Sequence, residues 1–317
     1  MIIEEISAVI ARELGIRRPQ ADAAIRLLDE GNTVPFISRY RKEATGELDE
    51  EQVRTIEERL AYLRNLIKRQ EEILGKIEEQ GKLTPELRTA IEKAAKLTEL
   101  EDLYLPYKQK KRTRAQIARE KGLEPLAAAM LLQAETKGTA EAAAAAYIDE
   151  EKGIAAAADA LTGAMDIIAE TAAEDAGLRK SLRQHLWQTG FLTTELDAKA
   201  DESQTFLMYD GYREPVRTLP SHRTLAINRG EKKGCLKVRL ETDHEANIER
   251  LFQHMYRQPS VFTDALRLAV TDGYKRLLLP ALEREIRAQL TENAEKQAIQ
   301  VFGANLKQLL LQAPLGW

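Results

Sequence analysis

An all-α, multi-helix scaffold is what this 317-residue sequence predicts, and three observations carry that reading. Apolar residues recur at three- and four-residue spacing over most of the chain. Residues that start and stop helices stand at the ends of those runs. Alanine is abundant while aromatics make up only 5%, a mixture that suits helices packed closely through small side chains.

The elements follow in order. In MIIEEISAVIARELG, Ile6, Val9 and Ile10 lie on one helical face, and acids stand where a signal peptide would carry its basic region. Pro19 opens a second segment, whose Ala21, Ala24, Ile25 and Leu28 fall at i, i+3, i+4 and i+7, and Gly31 stands where a left-handed residue would end it. Asn32 or Thr33 can cap a short third helix, with Pro35 tolerated in its first turn. At roughly 100° per residue, Val34, Phe36, Ile37 and Tyr40 are expected on one packed side, and Ser38, Arg39 and Lys42 on the other. This is the pattern of an amino-terminal helix-turn-helix with a cationic face, which is open to contact with DNA or RNA or to plain solvation.

Asp49 and Gln52 form a capping-box pattern, with Leu48 and Val53 placed as its hydrophobic staple. Behind it Val53, Ile56, Leu60, Leu63, Ile67, Leu74 and Ile77 keep the spacing, interrupted at Gln70, until Gly81. About thirty residues at ~1.5 Å each make a rod of roughly 45 Å. The seam is close to a heptad, but Leu66 and Ile73 widen the stripe, which favours packing within the chain over coiled-coil pairing. A monomer is therefore expected.

Thr84 and Pro85 restart a helix, and a turn at Leu105-Pro106-Tyr107 follows. Gly122, Gly138, Gly153, Gly177 and Gly190 punctuate alanine-rich helical segments that read as a bundle without a repeat. Between Ser203 and Pro220 the periodicity lapses, as in a linker or crossover, and Ser221 can cap a short helix. Leu236, Val238 and Leu240 alternate as in a strand, so at most one small β-hairpin is expected. Helical pattern returns from Ser260 to Gln312, kinked or split at Pro280. The expected division is 1–60 (helix-turn-helix region), 61–202 (bundle with the rod) and 203–317 (crossover and carboxy-terminal helices).

A net charge of −4 argues against coating nucleic acid with the whole surface, so any such binding must use local patches. The densest patch is Lys108, Lys110, Lys111, Arg112 and Arg114, flanked by Tyr104 and Tyr107 and followed by a helix that Thr113 can cap. Lysines suit phosphates and tyrosines suit unpaired bases, while a solvated turn over core tyrosines explains the same residues. With Arg39, Arg41 and Lys42, these are the candidate nucleic-acid contacts. Cys235 is the sole cysteine, which excludes an intrachain disulfide and points to a structural thiol in a reducing, cytoplasmic setting. No run reaches membrane-spanning length.

Other motifs weigh less. Gly75 to Lys82 mimics a phosphate loop, but five residues separate the glycines and Leu83 replaces the hydroxyl. His185, His222, His244 and His254 lack metal-ligand spacing, and no nucleophile elbow is present. Carboxylates mostly fall three or four residues from bases, as in Glu283 with Arg287, and read as surface pairs. Neither an enzyme nor a cofactor is expected.

Longer blocks are more specific. LLDEGNTVPFISRYRKEATGELDEEQ, EEQGKLTPEL, ELEDLYLPYKQKKRTRAQIAREKGLEPLA, SHRTLAINRGEKKGCLKV, YKRLLLPALEREIR and QAIQVFGANLKQLLLQAPL together resemble the amino-terminal region of the Tex family of bacterial transcription accessory proteins. The chain departs from that family at Gln109, where proline is usual. The resemblance implies a transcription accessory module that binds nucleic acid or associates with RNA polymerase or other transcription proteins. It also implies continuation past Trp317 into a YqgF-type RNase H-like domain, helix-hairpin-helix elements and an OB-fold RNA-binding domain, so that this chain is an amino-terminal fragment. Two other readings stand beside it: a structural scaffold that positions those domains, and part of a nuclease whose acidic residues lie beyond Trp317.

Overall fold

Asp49 fixes the start of the longest helix in the amino-terminal part of the chain. Its carboxylate accepts from the Gln52 amide nitrogen at 2.8 Å, and the Gln52 side chain accepts from the Asp49 nitrogen at 3.0 Å. Leu48 and Val53 are both buried beside this box. The computed structural model describes residues 3–109, 111–200 and 203–312. It divides into two compact units, Met1–Lys108 and Gln109–Trp317. The expected 60/61 boundary falls inside the helix that Asp49 begins, and 202/203 falls inside the second unit.

In the first unit, α1 (Ile3–Leu14), α2 (Arg18–Asp29) and α3 (Val34–Tyr40) pack on α4 (Glu50–Glu79). α5 (Pro85–Lys93), capped by Thr84, and α6 (Leu97–Tyr104) also pack on α4. The buried stripe of α4 is Val53, Ile56, Leu60, Leu63, Leu66, Gln70, Ile73 and Ile77. Leu66 and Ile73 are thus more deeply placed than Ile67 and Leu74, which are half-buried.

Gln70 interrupts the apolar pattern for a reason. Its amide nitrogen lies 2.9, 3.3 and 3.2 Å from the carbonyl oxygens of Ile91, Glu92 and Ala94. Those carbonyls lie at the end of α5, where the helical ladder runs out; the Ile91 carbonyl also accepts from the Ala94 nitrogen at 3.2 Å, and the Gln70 amide supplies the further donor. Outside this core, Arg59 grips Glu13 of α1 at 2.6 and 2.7 Å, and Arg64 grips Asp29 of α2 at 2.7 and 2.8 Å. The Arg64 hydrogen bond holds the Asp29 carboxyl below its ordinary range. That contribution is therefore complete at neutral pH and fades as pH falls through the depressed value; for so exposed a pair it is at most about 1 kcal/mol.

The second unit is built around α10 (Ala157–Glu174), against which α7 (Arg114–Glu120), α8 (Glu124–Leu132) and α9 (Ala140–Ala144) pack. α14 (Thr263–Asp272) also packs on α10 and runs into a π-helical turn, Gly273–Leu278, and then α15 (Leu279–Leu310). The expected break at Pro280 takes this form. Proline has no amide hydrogen to give the carbonyl four residues earlier, and the wider π register precedes it. The small residues foreseen in this bundle bring backbones together: a Cβ at Gly273 would stand 2.7 Å from the Ala169 carbonyl oxygen.

α11 (Ala176–Thr189) leads into the sheet. β1 (Phe191–Leu196) is central, antiparallel to β2 (Arg213–Pro215) on one side and to β3 (Leu236–Glu241) on the other. Leu192 faces Leu240 and Leu196 faces Leu236. The alternating segment at Leu236 is thus a strand, but its sheet has one strand more than the single hairpin expected. Residues 203–220 hold two short 3₁₀ turns and β2, and Phe206, Tyr209 and Val216 are buried. This stretch is therefore packed structure and not a bare crossover. α12 (Ser221–Lys232) follows Pro220, so Ser221 is its first residue instead of its cap and hydrogen-bonds Gln297 of α15.

A second buried glutamine closes α8. Gln133 is fully buried in the left-handed region at φ 55°. Its side-chain oxygen accepts from the Arg257 nitrogen at 2.8 Å, and its side-chain nitrogen donates to the Met255 carbonyl at 2.8 Å. The segment leaving α13 (His244–Met255) is held there.

Replacing Gln70 by Leu is expected to cost about 1–3 kcal/mol by stranding buried carbonyls, seen as a lower denaturation midpoint with unchanged slope. Gly273→Ala is expected to cost about 1–3 kcal/mol through overpacking against Ala169, whereas Gly81→Asn, at an exposed helix end, is expected to stay within about 0.5 kcal/mol in the same thermal or denaturant melts.

Candidate nucleic-acid interface

α3 is short and anchored on one side only. Gly31, at φ +84°, ends α2 as expected, and the Asn32 side chain donates to the Leu27 carbonyl at 2.8 Å. Thr33 precedes α3 without a side-chain capping bond. Val34 and Ile37 are buried against the unit's core. Phe36 and Tyr40 are not: they are 36% and 69% exposed. The expected single apolar side is therefore corrected. Residues three apart, Val34 and Ile37, fill the contact, and Phe36 and Tyr40, four apart, form a neighbouring stripe toward solvent.

These two rings lie 5.4 Å apart between centroids, with planes at 41°. The Arg41 guanidinium sits 5.6 Å from the Phe36 centroid. Arg39, Arg41 and Lys42 are all exposed, as expected of the cationic side. Lys42 meets Glu47 at 3.7 Å, while Arg39 has no ion pair among the described residues. The turn that follows is pinned to α2, since Gln20 donates to the Gly46 carbonyl at 2.6 Å. Two neighbouring aromatic rings, one of them beside Arg41, thus lie within a few residues of the exposed Arg39 and Lys42.

The second candidate cluster is arranged differently. Lys108 is exposed on the first unit, and Lys111, Arg112 and Arg114 are exposed on the second; Lys110 lies outside the described residues. Arg112 pairs with Glu120 at 2.7 Å, and Thr113 caps α7 by accepting from the Gln116 nitrogen at 3.0 Å. Of the two readings of Tyr104, a stacking surface or a core tyrosine, the second holds: it is buried, with Arg69 5.6 Å from its ring centroid. Tyr107 is half-buried against the same core. Burial of the rings leaves this cluster as charge alone.

Elsewhere the side chains serve structure. Gly75 lies within α4, not in a phosphate loop. His244 Nδ1 stands 2.9 Å from the Tyr274 hydroxyl, to which the Asn247 side chain donates at 3.2 Å. Burial, and then the neighbouring Arg250, hold the His185 imidazole below its usual range. Cys235 is buried. Glu283 does not pair with Arg287: it accepts from the Leu240 nitrogen of β3 at 2.9 Å, and Arg287 grips Glu231 of α12, at 2.7 Å for one of its two contacts. Helical spacing does not see such cross-element partners. Among the described residues no helix is long and apolar enough to cross a membrane, and no group of His, Cys, Asp and Glu is arranged to hold a metal ion.

Residues 4–78 match the Tex-like protein N-terminal domain, and residues 135–302 match the Tex central region-like family. "Protein tex" of Bordetella pertussis is 48% identical over 98% of this chain and 41% of that protein. "Transcriptional accessory protein Tex" of Neisseria gonorrhoeae is 45% identical over 98% of the chain and 42% of its own length. The human "S1 RNA-binding domain-containing protein 1" is 34% identical over 92% and 30% respectively. The chain thus spans less than half the length of these relatives. With more than half of its residues inside the central-region match and the amino-terminal match preceding it, the chain belongs to the Tex family.

Proposed function

We propose that this chain is a transcription accessory module that contacts nucleic acid through the corner at the end of α3. The observation that carries the reading is the exposure of Arg39, Arg41 and Lys42 within four residues, on a turn pinned to α2 and beside two exposed rings. Such a patch neutralises phosphates while the chain's overall net charge of −4 limits indiscriminate coating. The names of the relatives, one a transcriptional accessory protein and one an RNA-binding-domain protein, agree with that role. Lys108, Lys110, Lys111, Arg112 and Arg114 are proposed as auxiliary phosphate contacts. No catalytic step is assigned to the chain.

One observation favours a second reading, an interaction scaffold for RNA polymerase or another transcription protein. The last turns of α15 leave Ile299, Phe302, Leu306, Leu309 and Leu310 exposed along the helix. Contact with nucleic acid and scaffolding are separable by measurement. Binding of RNA and DNA is expected at low salt and to weaken as salt rises, with a log–log slope of about 0.7–0.9 per phosphate contacted. Reversing Arg39, Arg41 and Lys42 to Glu is expected to weaken binding at least about tenfold and to flatten that slope, with a smaller effect from reversal at Lys110, Lys111 and Arg112. Absence of binding at low salt leaves the scaffold reading in place, and hydrolysis of the nucleic acid by the purified chain overturns the non-catalytic assignment.

A further inference from the structure

We propose that Phe36, Tyr40 and Arg41 form a stacking platform for unpaired bases, so that the α3 corner takes single-stranded nucleic acid in preference to duplex. The inference rests on the nucleic-acid reading above and adds to it the form of the ligand. Its starting point is an anomaly of burial. The buried residues that seat the seven-residue α3 are Val34 and Ile37. Phe36 and Tyr40, on adjacent turns, are not part of that buried pair: Tyr40 stands largely in water and Phe36 keeps about a third of its surface there.

Their geometry favours flat ligands. Rings 5.4 Å apart and tilted at 41° do not close on each other as a sandwich, so ring surface remains open, most of all on Tyr40. Arg41 lies near the Phe36 ring and extends the surface with a planar guanidinium, itself a stacking group for bases. Every base has a π-face, so a platform of this kind is tolerant of sequence.

The surrounding charge selects the partner. Arg39 is without an ion pair among the described residues, and Lys42 is only loosely matched by Glu47 at 3.7 Å. Phosphates flanking a stacked base would meet these cations. In a duplex the base faces are already stacked on one another, and groove edges are read through polar side chains; Phe36 has no polar group for that purpose. Exposed rings among cations therefore fit an unpaired strand better than a double helix.

The test uses the full 317-residue chain and fluorescence anisotropy at low salt, with a labelled twelve-nucleotide single strand and a labelled hairpin duplex of the same composition. Four proteins are compared: the parent, Phe36→Ala with Tyr40→Ala, Tyr40→Phe, and Arg39→Glu with Arg41→Glu and Lys42→Glu. The expected result is tighter binding of the single strand by the parent and a loss of about tenfold or more in the double alanine variant. Duplex binding should be unchanged in that variant, and Tyr40→Phe should retain single-strand affinity. Both substituted rings are surface groups, so circular dichroism should match the parent. Parent-like single-strand binding by the double alanine variant, or an equal loss for strand and duplex, overturns the platform. If the charge-reversed protein alone loses binding, the nucleic-acid reading stands while the platform falls. If the parent binds neither ligand, or if a poly-glutamate peptide binds the parent and loses affinity in the double alanine variant, both fall.

Discussion

Every helix ends with carbonyl and amide groups that its own ladder cannot satisfy, and a chain made of many short helices multiplies that problem. The first unit handles it at α5 by placing Gln70 of α4 inside the core, within reach of three terminal carbonyls. The second unit handles it with Gln133, whose side chain both donates and accepts around the segment that leaves α13. At the sheet, Glu283 of α15 accepts the β3 amide at Leu240. Gln70 and Glu283 reach from long helices to shorter elements, and Gln133 reaches from the end of α8 to the segment beyond α13. Packing of the aliphatic side chains is possible because these groups are not left bare.

The candidate site depends on that economy of anchoring. α3 is held by two buried side chains and by the Gln20 bond to the turn after it, and these contacts occupy only one of its sides. Away from that side, Arg39 and Tyr40 are exposed. Its rings and cations can therefore be arranged for a ligand without loss of core. In the second unit the tolerance is opposite. At Gly273 an added Cβ would meet the Ala169 backbone oxygen at 2.7 Å, so bulk has no place to go there.

How much of this was legible in the sequence follows from the range of each signal. Asp49 with Gln52, Thr84, Thr113 and Gly31 act within three or four residues, and their structures match the reading of each. The apolar stripe of α4 was also legible, although Gln70 looked like a flaw because its partners lie more than twenty residues away. β1 was missed since FLTTEL is short and follows a helix directly, and its role depends on two strands that come later. The exposure of Arg39, Arg41 and Lys42 was legible from charge alone. The exposure of Phe36 and Tyr40 was not, because a seven-residue helix is too short for periodicity to separate the stripe that packs from the one beside it. Tyr104 was open in the sequence between a stacking ring and a core one, because its place beside lysines does not reveal its place under Arg69 in the core.

Cys235 is the sole thiol, and it is enclosed with Leu192, Phe206 and Leu236 at the small sheet. A thiol in that position is shielded from aqueous reagents unless the sheet opens. The chain therefore contains its own reporter of local unfolding, read as the rate at which a maleimide reacts under native conditions. The same shielding leaves the surface chemically blank toward thiol reagents. A single cysteine placed on α3 would take a spectroscopic label without competition, so that corner can be observed while the sheet stays closed.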